Sequence, residues 1–174
     1  MRHESHEPTL YRLFNEYVHE AMVRELHDPR LDDVEAYLTG LLVEFSKTER
    51  LFALKDPEGR PVTSVFEMLA EGDVLLNAPS FEREREVHKH IGDYILFWSG
   101  LNPDYLGRLR LYGGRELVCD YTVQGKRSYH VVSTFDYSPY DREAVTFRKL
   151  SDLFEAAAAV LAHVGRRLPI GRVS

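Results

Sequence analysis

One cysteine, Cys119, stands in the whole chain, so no disulfide can form within it, and a reducing, cytoplasmic setting is expected. No run of apolar residues approaches the roughly 20 needed to span a bilayer, and the opening residues from Met1 to Glu7 lack the apolar centre of a signal peptide. A membrane role is therefore not expected. Basic residues are also short: 22 Lys and Arg face 28 Asp and Glu, giving a formal charge of −6. They are scattered, apart from Arg166, Arg167 and Arg172, which argues against a nucleic-acid partner, since phosphate binders concentrate cations on one face. Internal repeats and low-complexity segments are lacking too.

Several reaction signatures are missing or incomplete. There is no Gly-x-Ser-x-Gly and no dinucleotide fingerprint. Gly125-Lys126-Arg127 lacks both the earlier glycine and the hydroxyl residue of a phosphate loop. Glu16-Tyr17-Val18-His19 offers one half of a di-metal carboxylate site, and the second Glu-x-x-His is missing. His19-Glu20 opens like a zinc-protease helix without its second histidine. No cofactor is indicated.

What is present is helical patterning. A chain of 174 residues with 44% hydrophobic content suits one domain with one core. Leu10, Leu13, Phe14, Tyr17, Val18, Ala21, Met22 and Leu26 recur at three- and four-residue spacing, which predicts a first helix ending before Asp28-Pro29. Asp32 and Glu35 form a capping-box pattern for a second helix reaching towards Leu54, and the 55–61 segment has turn chemistry. Ser64 with Glu67 predicts a short helix that Gly72 stops; residues 73–79 read as a loop. Ser80 is a cap for a helix over about 80–100, ended by Gly100, and Asn102-Pro103 starts a short helix that Gly113-Gly114 closes. Residues 116–135 fit a helix better than a strand, because the helical face is longer than the alternation. One final helix takes Phe147, Leu150, Phe154, Ala157, Leu161 and Val164 as its buried stripe. The expected fold is all-α: a single domain over residues 1–174, built as a bundle of about five to seven helices around a buried central helix, with a loose leader at 1–7 and a loose tail at 169–174.

The central helix is apolar on most sides, through Val87, Ile91, Tyr94, Ile95, Leu96, Phe97 and Trp98, yet it holds Gly92 and Asp93. Glu86, His90 and Asp93 are spaced by four and three and share a narrow stripe. Two carboxylates and an imidazole suit a divalent metal or a shared proton; the plainer alternative is a solvated Glu86 with His90 and Asp93 bonded to structural partners. An Asp93 set among buried residues needs a partner, and the 126–129 run supplies cations and hydroxyls, from which bidentate geometry favours Arg127. Within the helix, His90 is the nearest candidate. Gly125 interrupts an apolar stripe between Tyr121 and Tyr129, with Asp120 and Arg127 beside it and Ser128 following; close helix packing or a flat ligand would explain the gap.

Residues 85–103 (REVHKHIGDYILFWSGLNP) and 120–129 (DYTVQGKRSY) resemble a group of uncharacterised bacterial helical proteins, over about residues 34–164. The resemblance implies that the two stretches form a matched pair, and it implies no activity. The leading expectation is a cytoplasmic helical interaction or small-ligand-binding protein without catalysis, whose polar cluster of Glu86, His90, Asp93, Asp120, Tyr121, Arg127, Ser128 and Tyr129 is mainly structural. The alternative is a metal- or small-molecule-dependent enzyme using Glu86, His90 and Asp93. The aromatic surplus suits a homodimer or another protein partner.

Overall fold

Local capping and apolar spacing carry the chain through nine α-helices and one 3-10 turn among the residues that the computed structural model describes, 7–73, 80–111 and 120–168. Helix α1 (Glu7–Glu25) buries Phe14, Val18, Ala21 and Met22, while Leu13, expected on the same stripe, is exposed. It is closed by His27, whose left-handed backbone (φ 48°) lets its N–H reach the Met22 carbonyl at 3.3 Å. Asp28, not Asp32, then makes the capping bond: it accepts from the Arg30 N–H at 3.0 Å and starts the 3-10 turn Pro29–Leu31. Asp32 is thereby the first residue of α2 (Asp32–Phe45), where it acts with Asp33 and Glu35 on the helix dipole.

The long second helix expected from the sequence is two helices. Ser46 bonds back to the Val43 carbonyl at 2.6 Å and ends α2, after which α3 (Thr48–Leu51) runs on its own. The turn after it is tied by Asp56, whose carboxylate accepts from the backbone of Glu58 and Arg60; one isolated antiparallel bridge, Lys55 with Pro61, is the strand-like pairing there. Ser64 caps α4 (Val65–Gly72), and Ser80 caps α5 (Phe81–Leu101) through the Arg83 N–H at 3.1 Å. Helix α6 (Pro103–Leu111) follows with proline at its first position. Asp120 caps α7 (Tyr121–Ser133), which removes the strand alternative for that part of the 116–135 segment. The final helix is also split, into α8 (Asp141–Asp152) and α9 (Phe154–Arg167), around Leu153. The helix count therefore exceeds the expected range. The leader at 1–6, most of the 73–79 loop, Gly113-Gly114, residues 116–119 with Cys119, and the 169–174 tail lie outside the described residues.

Helix α5 packs against α2, α4, α6, α7 and α9, while α7 also packs on α8, and α1 on α2 and α9. Val87, Ile91, Tyr94, Ile95 and Leu96 are fully buried in one hydrophobic core; Phe97 and Trp98 are half-buried against it, and Glu86 is exposed. Gly100 does not end α5: it lies against α9, where a Cβ would sit 2.5 Å from Leu161 Cβ. No helix among the described residues is long and apolar enough to cross a membrane.

Two glycines let rings cross a helix. A Cβ on Gly92 would fall 2.6 Å from the Tyr129 ring, and one on Gly125 would strike the Phe154 ring. A Cβ on Gly40 of α2 would meet nothing within 4 Å. Gly92→Ala and Gly125→Ala should each lose about 1–3 kcal/mol by overpacking, whereas Gly40→Ala should gain about 0.5–1 kcal/mol from helix propensity. Urea denaturation of the three variants checks the opposite signs.

Candidate functional site

On α5, Arg83, Glu86, His90 and Asp93 follow three- and four-residue steps and so look out from one stripe. On α2, Ala36, Gly40 and Glu44 do the same, with Tyr37 and Leu41 beside them. Between these two walls and the segment after α3 lies an open cleft of about 710 Å³. All three residues of the Glu86, His90 and Asp93 stripe line it, so the sequence placed them on a common surface.

Asp93 forms the inner end of the cleft and is only 4% exposed. Its Oδ1 accepts hydrogen bonds from the Tyr37 hydroxyl at 2.5 Å and the Tyr129 hydroxyl at 2.7 Å, and its Oδ2 accepts one from Lys89 Nζ at 3.2 Å. The partners proposed from the sequence are corrected by this arrangement. Arg127 is exposed, and of the 126–129 run it is Tyr129 that reaches Asp93, because Tyr129 lies on the face of α7 turned to Gly92. Within α5 the partner is Lys89 one turn earlier at i−4, not His90. Burial first, and then the Asp93 charge, push the Tyr37 and Tyr129 hydroxyls well above the usual phenol value of 10.0.

His90 sits between the rings of Phe45 and Tyr94, with centroids at 6.0 and 5.9 Å. Burial lowers its pKa below 6.5 against the opposing pull of Asp93, and its Nε2 is buried with no partner. The imidazole is thus neutral at pH 7. Glu86 is exposed and faces Arg83 at 3.6 Å. Among the described residues no group of three His, Cys, Asp or Glu could hold a metal ion, so Glu86, His90 and Asp93 share a wall without converging on a point.

The remaining sequence candidates serve packing. Asp120 caps α7, Tyr121 is buried, and Ser128 is buried and bonded to His88 Nδ1 at 3.2 Å and Gln124 Nε2 at 3.1 Å. None of them lines the cleft. The two stretches 85–103 and 120–129 do pack on each other, through the Gly92–Tyr129 and His88–Ser128 contacts.

Three participants were missed. Tyr37 lies on the apolar stripe of α2 and reads as core. Lys89 was readable, since Lys and Asp stand four apart on one helix. Arg85, only 6% exposed, donates to Glu143 Oε2 at 2.5 Å and stacks 4.1 Å from the Tyr140 ring centroid, which ties α5 to α8 at the mouth of the cleft. Its position seven residues before Gly92, and so on the same helix face, was the signal for it. Comparison with protein families, with curated proteins and with solved structures finds no match for the chain.

Asp93→Ala leaves the two hydroxyls of Tyr37 and Tyr129 without their acceptor and should cost about 2–6 kcal/mol, at about 1–3 kcal/mol per orphaned group, while Asp93→Asn keeps an acceptor oxygen and should cost less. Chemical denaturation of the pair reads the difference. Alkali should act on the same cluster. Above pH 10 the unfolded tyrosines ionise while the folded ones hold their protons, so stability falls as pH rises, by up to about 1.4 kcal/mol per pH unit for each. Above the carboxylate range, acid acts through the histidines. The folded pKa values of His88 and His90 lie below 6.5, so the unfolded chain takes up protons first and stability falls as pH drops below that value. Urea midpoints across both ranges, repeated with His90→Gln for the acid limb, check these signs.

Proposed function

We propose that the protein binds a small molecule in the cleft between α2 and α5 and performs no chemistry on it. The observation behind this reading is the state of Asp93. Its Oδ1 is occupied by two phenol hydroxyls and its Oδ2 by Lys89, so the one buried acid at the cleft is committed to fixing three helices rather than to moving a proton. The cleft it closes has the volume of small-ligand sites, about 300–1,000 Å³, and combines an apolar strip on α2 with charged side chains such as Glu44, Arg83, Glu86 and Lys89 around it. The rival, a metal-dependent enzyme on Glu86, His90 and Asp93, gains no support from the geometry among the described residues. A cytoplasmic setting and a homodimer, both from the sequence, belong to the same proposal; sedimentation equilibrium reads the second, and a monomer excludes it.

The test is protein-observed NMR with a library of small fragments. Binding in the cleft shifts the amides of Ala36, Gly40, Leu41 and His90 together and returns each fragment unchanged. Shifts scattered over the surface, or conversion of a bound fragment, would overturn the reading.

A further inference from the structure

The charges at the cleft come in opposed pairs. Arg50 faces Glu44 at 3.5 Å, Arg83 faces Glu86 at 3.6 Å, Lys89 holds Asp93 at 3.2 Å, and Glu143 is matched by Arg85 from behind at 2.5 Å. A charged ligand entering here would give up its hydration and meet both signs at similar range, with no net attraction to offset the loss. A neutral one keeps the pairs intact.

Shape adds a second restriction. At Gly40 the α2 backbone is bare, nothing lies within 4 Å of where its Cβ would be, and Ala36 one turn earlier continues the same low strip. Tyr37 stands before Gly40, Leu41 and Phe45 after it, and His90 lies across on α5 against the Phe45 ring. A flat ring laid on this strip would exchange water for aromatic and aliphatic contacts on both sides. Burial keeps His90 uncharged, so it adds no cation to Arg83 and Lys89, which are already paired on the same wall.

We propose that the ligand of this cleft is a neutral molecule with a flat, mainly apolar ring system, seated on the Ala36 and Gly40 strip of α2. The inference rests on the cleft being the binding site, and it adds the class of compound the site takes.

Two fluorescent probes separate the statements: N-phenyl-1-naphthylamine, which is neutral, and 1-anilinonaphthalene-8-sulfonate, which has the same rings and a negative charge. The neutral probe should bind the full chain at least about tenfold more tightly than the sulfonate, and Gly40→Phe should weaken it by about tenfold or more, because the new ring occupies the strip. Ala36→Phe fills the other end of the strip and serves as a second blocking variant, with the urea midpoint of each reported alongside to show that the fold persists. Equal or tighter binding of the sulfonate, lost in the same variants, would overturn the neutral class and leave the cleft as a binding site. Probe binding that neither substitution alters would remove the cleft itself, and this inference with it.

Discussion

Two phenol hydroxyls meet on one oxygen of the Asp93 carboxylate, and α2, α5 and α7 are joined at that point. A carboxylate this deeply buried is costly unless its lone pairs are covered, and hydrogen bonds to a charged group, worth about 1.5–3 kcal/mol each, supply the cover. The arrangement depends on the residue before it. Tyr129 reaches Asp93 only by passing over Gly92, where any side chain would block the ring, so the Gly92-Asp93 dipeptide works as one unit: space for the ring and an acceptor for its hydroxyl. Removing either half undoes the other.

Around this junction, ion pairs set the register of the outer helices. Lys149 binds both oxygens of Asp33 and the Arg30 carbonyl, with Thr146 on the same carboxylate, and so locates α8 on α2. Lys126 does the same between α7 and α9 through Glu155. Exposed pairs of this kind contribute about 0–1 kcal/mol, so their effect is to choose one alignment among several of similar packing energy. Arg85 differs, since its guanidinium is buried between an aromatic ring and Glu143 and anchors α8 close to the cleft.

The sequence was informative where one residue type has one local use. Ser64 and Ser80 cap helices because a short oxygen side chain followed by a helical stretch has few other roles, and Asp93 had to turn inward because its neighbours on α5 are buried. It was less informative where two readings share a pattern. Asp28 and Asp32 both fit an N-cap. The break at Leu153 leaves the three- and four-residue spacing of Phe147, Leu150, Phe154 and Ala157 running through it, so periodicity does not register it, whereas at Ser46 the buried spacing does lapse, from Phe45 to Leu51. Phe154, the first residue after the Leu153 break, lays its ring over Gly125 on α7. Tyr37 was hidden for a different reason: it is 56 residues from Asp93, and a tyrosine on an apolar stripe gives no sign of which acid its hydroxyl will find. Arg127 was favoured over Tyr129 for the bidentate geometry of its guanidinium, whereas the fold answers the buried carboxylate with two neutral donors and one flexible lysine.

Trp98, the one tryptophan in the chain, lies at the far end of a line of rings that begins at the cleft. Phe45, on the cleft wall, touches Phe97 edge-on at 5.3 Å; Phe97 touches Trp98 at 5.2 Å; and Trp98 lies over Tyr105 of α6 at 4.1 Å. The indole is therefore outside the cleft and yet two ring contacts from its wall. Its ultraviolet emission is a built-in optical reporter, arising at the α5–α6 junction and linked by packed aromatic edges to whatever moves Phe45.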